Sequence, residues 1–263
     1  MTNRDAADQA YANSAYIPDG ESYYERWDAA AEAFRAAHAD KELGVAYGEG
    51  GGQTYDMFHP AQASRGTVIF LHGGYWMAGS PRMFSHLAAG AVAAGYACAM
   101  PAYTLAPQAR LAQMADEVEA AIAEIAKRTD GPLYLVGHSA GGQLVARMGC
   151  ADKKAPWSTR VQRVMAISLL SDLEPLRETT MNDTLGIDEG EALDESPIRH
   201  RPQNIPMTAW VGGNERPAFL DQAMGLADAW DCDLTIEAGK HHFDVIEGLE
   251  NPISPMMRAL FRA

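Results

Sequence analysis

A chain of 263 residues, 47% of them hydrophobic, is long enough to bury a large core and form one α/β domain spanning 1–263, with no linker-like stretch to divide it. Its formal charge of −14 argues against nucleic acid or an anionic membrane surface as partner, and no apolar run approaches the ~18 residues of a membrane span. Three widely spaced cysteines, Cys98, Cys150 and Cys232, without a C-x-x-C pair, read as reduced thiols rather than a disulfide framework or zinc site.

The chain opens on a polar, acidic stretch (MTNRDAADQAYANS) without the basic and apolar regions of a signal peptide, so a cytoplasmic location is expected. Residues 1–40 read as an arm leading into an amphipathic helix, with Trp27, Ala30, Ala31, Phe34 and Ala37 at helical spacing. Its aromatics, Tyr11, Tyr16, Tyr23, Tyr24 and Trp27, either pin the arm to the domain or line a substrate entrance; pinning is the commoner role. Two weak strand signals, LGVAYGE and QTYDMFH, flank the hairpin-like Gly50-Gly51-Gly52.

Residues 67–71 (TVIFL) form the continuous apolar, β-branched run of a strand buried on both faces, ending in His72-Gly73-Gly74-Tyr75-Trp76. Glycines placed there leave backbone N–H groups unblocked, as an oxyanion hole requires. A helix over 82–94 closing at Gly95, a strand over 96–100 and the loop PAYTLAP follow. Leu111, Met114, Val118, Ile122 and Ile125 step by three or four, so 110–128 is the clearest amphipathic helix.

Residues 133–142 (LYLVGHSAGG) are the centre of the reading: an apolar strand, the motif G-x-S-x-G, then a helix-compatible run. A nucleophile on so sharp a turn needs neighbours without side chains, and the helix N-terminus beside it favours developing negative charge. The alternative is a serine that only caps its helix. A strand over 163–170 follows, then a polar, acidic, proline-bearing stretch over 174–204 that reads as a cap over the site. A strand over 206–211, a helix over 217–230, a last strand over 232–237 and a closing helix over 252–262 complete the chain. The alternation predicts an α/β fold: a mostly parallel sheet covered by helices on both faces, with the first two strands as an antiparallel edge.

Ser139 needs a base that titrates near neutrality, and that histidine needs a carboxylate to fix its tautomer. His242 is the candidate base, anchored by neighbouring Phe243, with His241 turned elsewhere. Asp172 and Glu215 both follow buried strands and either could reach it; the Gly-Gly pair before Glu215 favours Glu215. The N–H groups of Ala140, Gly73 and Gly74 would form the oxyanion hole, and Tyr75 and Trp76 would offer aromatic surface to substrate or serve as packing. His38, His59, His86 and His200 read as structural or exposed; no metal-ligand spacing is present, and neither metal nor other cofactor is expected. A small-molecule acyl amide or ester is the expected partner, and a homodimer is allowed.

HGGYW at 72–76, GHSAGG at 137–142, SLLSDLEPL at 168–176, VGGNERPAF at 211–219 and KHHFDVIEGL at 240–249 together resemble the α/β-hydrolase superfamily and, within it, the kynurenine formamidase (arylformamidase) group. HGGYW and the S-x-L-x-D-L-E-P-L stretch are the discriminating matches, whereas GHSAGG is shared widely with esterases. PAYTLAP resembles the Y-R-L-A-P of hormone-sensitive-lipase-like esterases, with Thr104 in place of Arg. The resemblance implies Ser139 as nucleophile, Glu215 as acid where relatives often carry Asp, and His242 as base. It implies hydrolysis of N-formylkynurenine to kynurenine and formate. A short-acyl carboxylesterase or thioesterase is the alternative; a non-catalytic binder on the same fold is a third reading, which loss of one of these three residues would favour, and all three are present.

Overall fold

The computed structural model describes residues 2–262. Its frame is an eight-stranded sheet in the order β1-β2-β4-β3-β5-β6-β7-β8. The strands are β1 (Lys41–Ala46), β2 (Thr54–Phe58), β3 (Thr67–Leu71), β4 (Ala97–Pro101), β5 (Leu133–His138), β6 (Val161–Ile167), β7 (Met207–Gly212) and β8 (Asp233–Glu237). β1, β2 and β4 pair antiparallel at one edge and every pairing from β4 to β8 is parallel, as the hairpin signal and the buried apolar runs imply.

Period-2 alternation divides each inner strand between two cores. Ile69, Leu71, Leu133, Leu135, Val164 and Ala166 face one side, where α4 (Leu111–Arg128), α5 (Ala140–Met148) and α8 (Pro217–Trp230) cover them. Val68, Phe70, Tyr134, Val136, Met165 and Ile167 face the other, under α2 (Ser22–Ala37), the 3₁₀ segment Pro81–Ala88 and α9 (Pro255–Leu260). Complete burial of a Leu or Ile side chain contributes about 1.5–3 kcal/mol, so these two layers are the main source of stability.

Some elements differ from the periodicity reading. The expected helix over 82–94 is 3₁₀ over Pro81–Ala88 and α-helical only over α3 (Ala89–Ala93). The guanidinium of Arg35 occupies the Arg82 carbonyl, which an α-helix would offer to its own next turn. The closing helix is confined to α9, after a 3₁₀ segment Val245–Glu250. The first 40 residues contain α1 (Asn3–Tyr11), closed by a Thr2–Asp5 capping box, as well as α2. Residues 174–204 contain α6 (Asn182–Leu185), α7 (Glu189–Glu195) and two 3₁₀ segments rather than open loop.

These two regions hold each other. Asp8 accepts hydrogen bonds from the backbone N–H and hydroxyl of Thr180, Arg4 pairs with Asp183, and Gln222 of α8 donates to the Tyr11 hydroxyl. Beneath them the buried pair Arg147–Glu195 ties α7 to α5 at 3.2 Å. No described helix is long and apolar enough to cross a membrane.

Candidate active site

Parallel strands deliver their following loops to one edge of the sheet. HGGYW follows β3, Ser139 follows β5, Ser168 follows β6, Glu215 follows β7 and His242 follows β8, and these are consecutive neighbours in the sheet.

Ser139 sits at φ 55°, ψ −117°, between β5 and α5, a conformation that non-glycine residues adopt at a cost of about 1–3 kcal/mol. Close packing around it explains the flanking glycines. A Cβ on Gly137 would lie 2.0 Å from the Gly141 carbonyl oxygen, and one on Gly141 would lie 2.1 Å from the Leu71 carbonyl oxygen. The backbone is held from β6 by the Ser139 N–H donating to the Ile167 carbonyl at 2.8 Å. The Ser139 side chain makes no capping hydrogen bond, so the alternative of a helix-capping serine does not describe this turn.

His242 is buried, and its Nδ1 lies 2.6 Å from Glu215 Oε2. The other carboxylate oxygen, Oε1, accepts from the Ser168 hydroxyl at 2.5 Å and from the Gly212 N–H at 2.7 Å. Three donors thus surround a carboxylate with no solvent exposure, compensating the cost of burying its charge. Asp172, the other candidate acid, is committed elsewhere: its carboxylate accepts from the Glu174 N–H at 3.1 Å and from Arg199 at 3.0 Å.

The imidazole of His242 is packed by two residues the sequence reading passed over. Phe219 of α8 lies 4.4 Å from it and His138 lies 4.7 Å from it, ring centre to ring centre. Phe243, expected to anchor His242, lies 6.0 Å away and packs against Tyr23, Tyr24 and Trp27 of α2. The His138 ring bonds the His242 carbonyl through Nε2 at 2.9 Å, which makes that nitrogen the donor. Ser168, the first polar residue beyond β6, carried a usable signal: it ends a buried apolar strand next to the serine turn.

The HGGYW loop lies against the serine, where a Cβ on Gly73 would stand 3.0 Å from that of Ser139. The N–H groups of Gly73, Gly74 and Ala140 have no hydrogen-bond partner among the described residues. Tyr103 braces this loop by donating to the His72 carbonyl at 2.9 Å. Tyr75 and Trp76 follow at positive φ, 50° and 57°. They part ways.

Tyr75 lines the cavity above Ser139, its hydroxyl donating to the Tyr11 carbonyl and accepting from Asn13 at 3.0 Å. Trp76 is fully buried and absent from the cavity lining, so of its two expected roles it takes packing, and its place in the substrate pocket is corrected. Its indole N–H donates to Gln143 at 3.1 Å, and Gln143 in turn donates to the Glu195 carbonyl at 2.8 Å. A buried indole needs such a partner, and here it links the HGGYW loop to α5 and α7.

The cavity encloses about 610 Å³. Tyr11, Tyr24 and Trp27 come to it from the first two helices, Thr180 and Met181 from the 174–204 region, and Ser139 and His242 form its floor. Of the five aromatics of the arm these three line the cavity and also pack, Tyr11 edge-on to Phe219 at 5.8 Å, whereas Tyr16 and Tyr23 are not in the lining. Among the described residues, no group of three or more His, Cys, Asp or Glu side chains is placed to hold a metal ion.

Burial pushes His72 and His86 down to about 4 from the ordinary 6.5, and holds His138 well below it. Between those values the unfolded chain binds protons that the folded chain refuses, so stability falls as pH drops from about 6.5 to about 4. The urea midpoint is expected to decline through that window, and His86→Gln should remove part of the slope. A midpoint constant from pH 7 to 4.5 would exclude neutral, buried imidazoles.

A serine turn, an unblocked set of backbone donors and a buried His–carboxylate pair at the strand ends of a mostly parallel sheet define a hydrolase of the α/β class. The chain belongs to the α/β-hydrolase fold family, whose profile matches residues 68–200. More particularly, it is 30% identical to the kynurenine formamidase of Salmo salar over 228 residues, covering 79% of this chain and 76% of that protein. A crystal structure from Silicibacter sp., of a protein provisionally called a thioesterase, is 45% identical, with a TM-score of 0.95 over 97% of this chain and 98% of that one. The esterase of Pyrobaculum calidifontis shares the fold, with a TM-score of 0.71 at 18% identity over 99% and 98% of the two chains.

Proposed function

We propose that the protein is a serine hydrolase whose triad is Ser139, His242 and Glu215, and that it cleaves the formyl amide of N-formylkynurenine. The observation that carries the triad is the buried 2.6 Å His242–Glu215 contact on the floor of the cavity that Ser139 also lines. Neither Ser139 Oγ nor His242 Nε2 has a hydrogen-bond partner among the described residues, which leaves each for the other and for substrate. Catalytic contacts of this kind tighten when substrate binds.

In this mechanism His242 Nε2 takes the Ser139 proton as Oγ attacks the formyl carbon. The oxyanion rests on the N–H groups of Ala140, Gly73 and Gly74, where fixed dipoles need no reorganisation. Collapse breaks the C–N bond, His242 delivers its proton to the departing aniline nitrogen, and formyl-Ser139 remains. Water, deprotonated by His242, then attacks the formyl ester, and formate leaves as Ser139 recovers its proton. Glu215 holds Nδ1 and supports the imidazolium.

The aryl formamide is supported by similarity to kynurenine formamidases along most of the chain and by an aromatic-lined cavity within the ~300–1,000 Å³ usual for small ligands. A thioester is the second reading, supported by the Silicibacter neighbour. The test is kcat/KM for N-formylkynurenine, 4-nitrophenyl acetate and acetyl-CoA on one preparation. Formamide turnover at about 10⁴ M⁻¹s⁻¹ or above is expected; ester or thioester turnover without it would move the substrate and leave the triad.

A further inference from the structure

The cavity above Ser139 is one-sided in charge. Asp8 and Glu21 line it, and no lysine or arginine is among the described residues that do. Arginines of the surrounding segments lie outside the lining: Arg4 is paired with Asp183, though near enough to Asp8 to feel its charge, Arg26 lies over the Tyr23 ring and Arg216 over the Tyr16 ring. Of the two histidines on its wall, His138 is kept neutral by burial.

The acidic side is built as well as populated. Asp8 is fixed by the two bonds that its Oδ1 accepts from Thr180, at 2.7 Å from the N–H and 3.0 Å from the hydroxyl; its Oδ2 has no partner among the described residues. Glu21 is exposed at the start of α2 and makes no hydrogen bond among them. Asn13, more than nine-tenths buried, donates its amide to the Tyr75 hydroxyl at 3.0 Å and keeps its Oδ1 without a partner among the described residues, on the wall of the same cavity. Unfilled acceptors and carboxylates suit a group that donates and is positive. The free N–H groups of Gly73 and Gly74 lie at the Ser139 end, where the scissile carbonyl takes them up; an anion brought to the Asp8–Glu21 side gives up hydration, meets like charge and finds no cation there.

We propose that this cavity selects acyl donors by the charge of the leaving portion: it favours an ammonium, drawn by the negative charge of Asp8 and Glu21, tolerates a zwitterion, and disfavours carboxylates and phosphates. The scissile formamide rests on the function proposed above; the charge selection does not. It also disfavours the phosphate-bearing acyl-CoA thioesters.

The decisive series shares one ortho-formamidophenyl ketone and varies only the end of its side chain: a primary amine, the α-amino acid of N-formylkynurenine, and the deaminated carboxylic acid. At low ionic strength kcat/KM should fall in that order by about tenfold or more from first to last. The spread should shrink toward about 1 M salt, where the screening length is ~3 Å. Asp8→Asn with Glu21→Gln should compress it to within about threefold; because a ratio is read, a general loss of activity cancels. In parallel, calorimetry should show 4-phenylbutylamine binding about tenfold more tightly than 4-phenylbutyrate. Equal or reversed preference in both measurements overturns the proposal. If the formamides are inert but the amine is still preferred in binding, the formamidase reading falls and charge selection stands. If all three formamides are cleaved alike and neither probe is preferred, the outcome is the opposite.

Discussion

Ser139→Ala is expected to lower kcat by about 10⁴-fold or more on every acyl substrate, with little change in KM. The substitution removes one oxygen from a residue whose backbone is fixed by its φ of 55° and by the Ile167 carbonyl, so the fold should be retained. Without Oγ no acyl-enzyme can form, and what remains is water attack assisted by His242 and the oxyanion donors. A burst of 4-nitrophenol from 4-nitrophenyl acetate, expected with the unaltered protein at high concentration, should be absent in the variant. Retention of wild-type rates, with near-ultraviolet circular dichroism unchanged, would remove Ser139 from the chemistry. It would also reduce the strained turn to a packing feature, a costly arrangement for a residue with no chemical task.

How far the site could be read from sequence follows from the range of the forces that build it. The serine turn is a local matter of sterics between β5 and α5, and sterics between adjacent elements leave a mark in the chain, here the glycines at 137 and 141. The inner parallel strands were likewise visible, because burial on both faces demands unbroken apolar runs such as TVIFL, whereas the half-exposed edge strands β1 and β8 left weaker marks. What was invisible depends on contacts between distant segments. Trp76 looked like a pocket aromatic beside Tyr75, but its indole is claimed by Gln143, 67 residues away. Phe219 and His138, rather than the adjacent Phe243, flank His242, because the loop after β8 turns its imidazole inward over the sheet end. Helices within 174–204 escaped a periodicity reading because each is too short to repeat a hydrophobic face, and their order comes from the first helix and from Arg147.

Glu215→Gln is expected to lower kcat by about 10³- to 10⁴-fold, whereas Asp172→Asn should leave it within about threefold. The neutral amide keeps the size of the carboxylate and removes two things at once. It cannot balance the imidazolium that forms as Ser139 is deprotonated, and because its NH₂ end accepts nothing, its one oxygen can serve either His242 Nδ1 or the Ser168–Gly212 pair but not both. One of those donors must lose its acceptor in a fully enclosed site, so His242 is left in the wrong tautomer or the loop after β7 moves. Asp172 has no such role, since its bonds to the Glu174 N–H and to Arg199 shape the start of the 174–204 region. Ser168→Ala separates orientation from charge: Glu215 remains ionised but loses one of the two donors that hold Oε1. A single charge-assisted bond contributes about 1.5–3 kcal/mol, so kcat should fall about tenfold or somewhat more with KM nearly unchanged, and Ser168→Thr should recover part of it. Equal losses in kcat and folding stability, without rescue by Thr, would make Ser168 a packing residue. A larger loss for Asp172→Asn than for Glu215→Gln would transfer the acid to Asp172 and leave the 2.6 Å contact without a catalytic purpose.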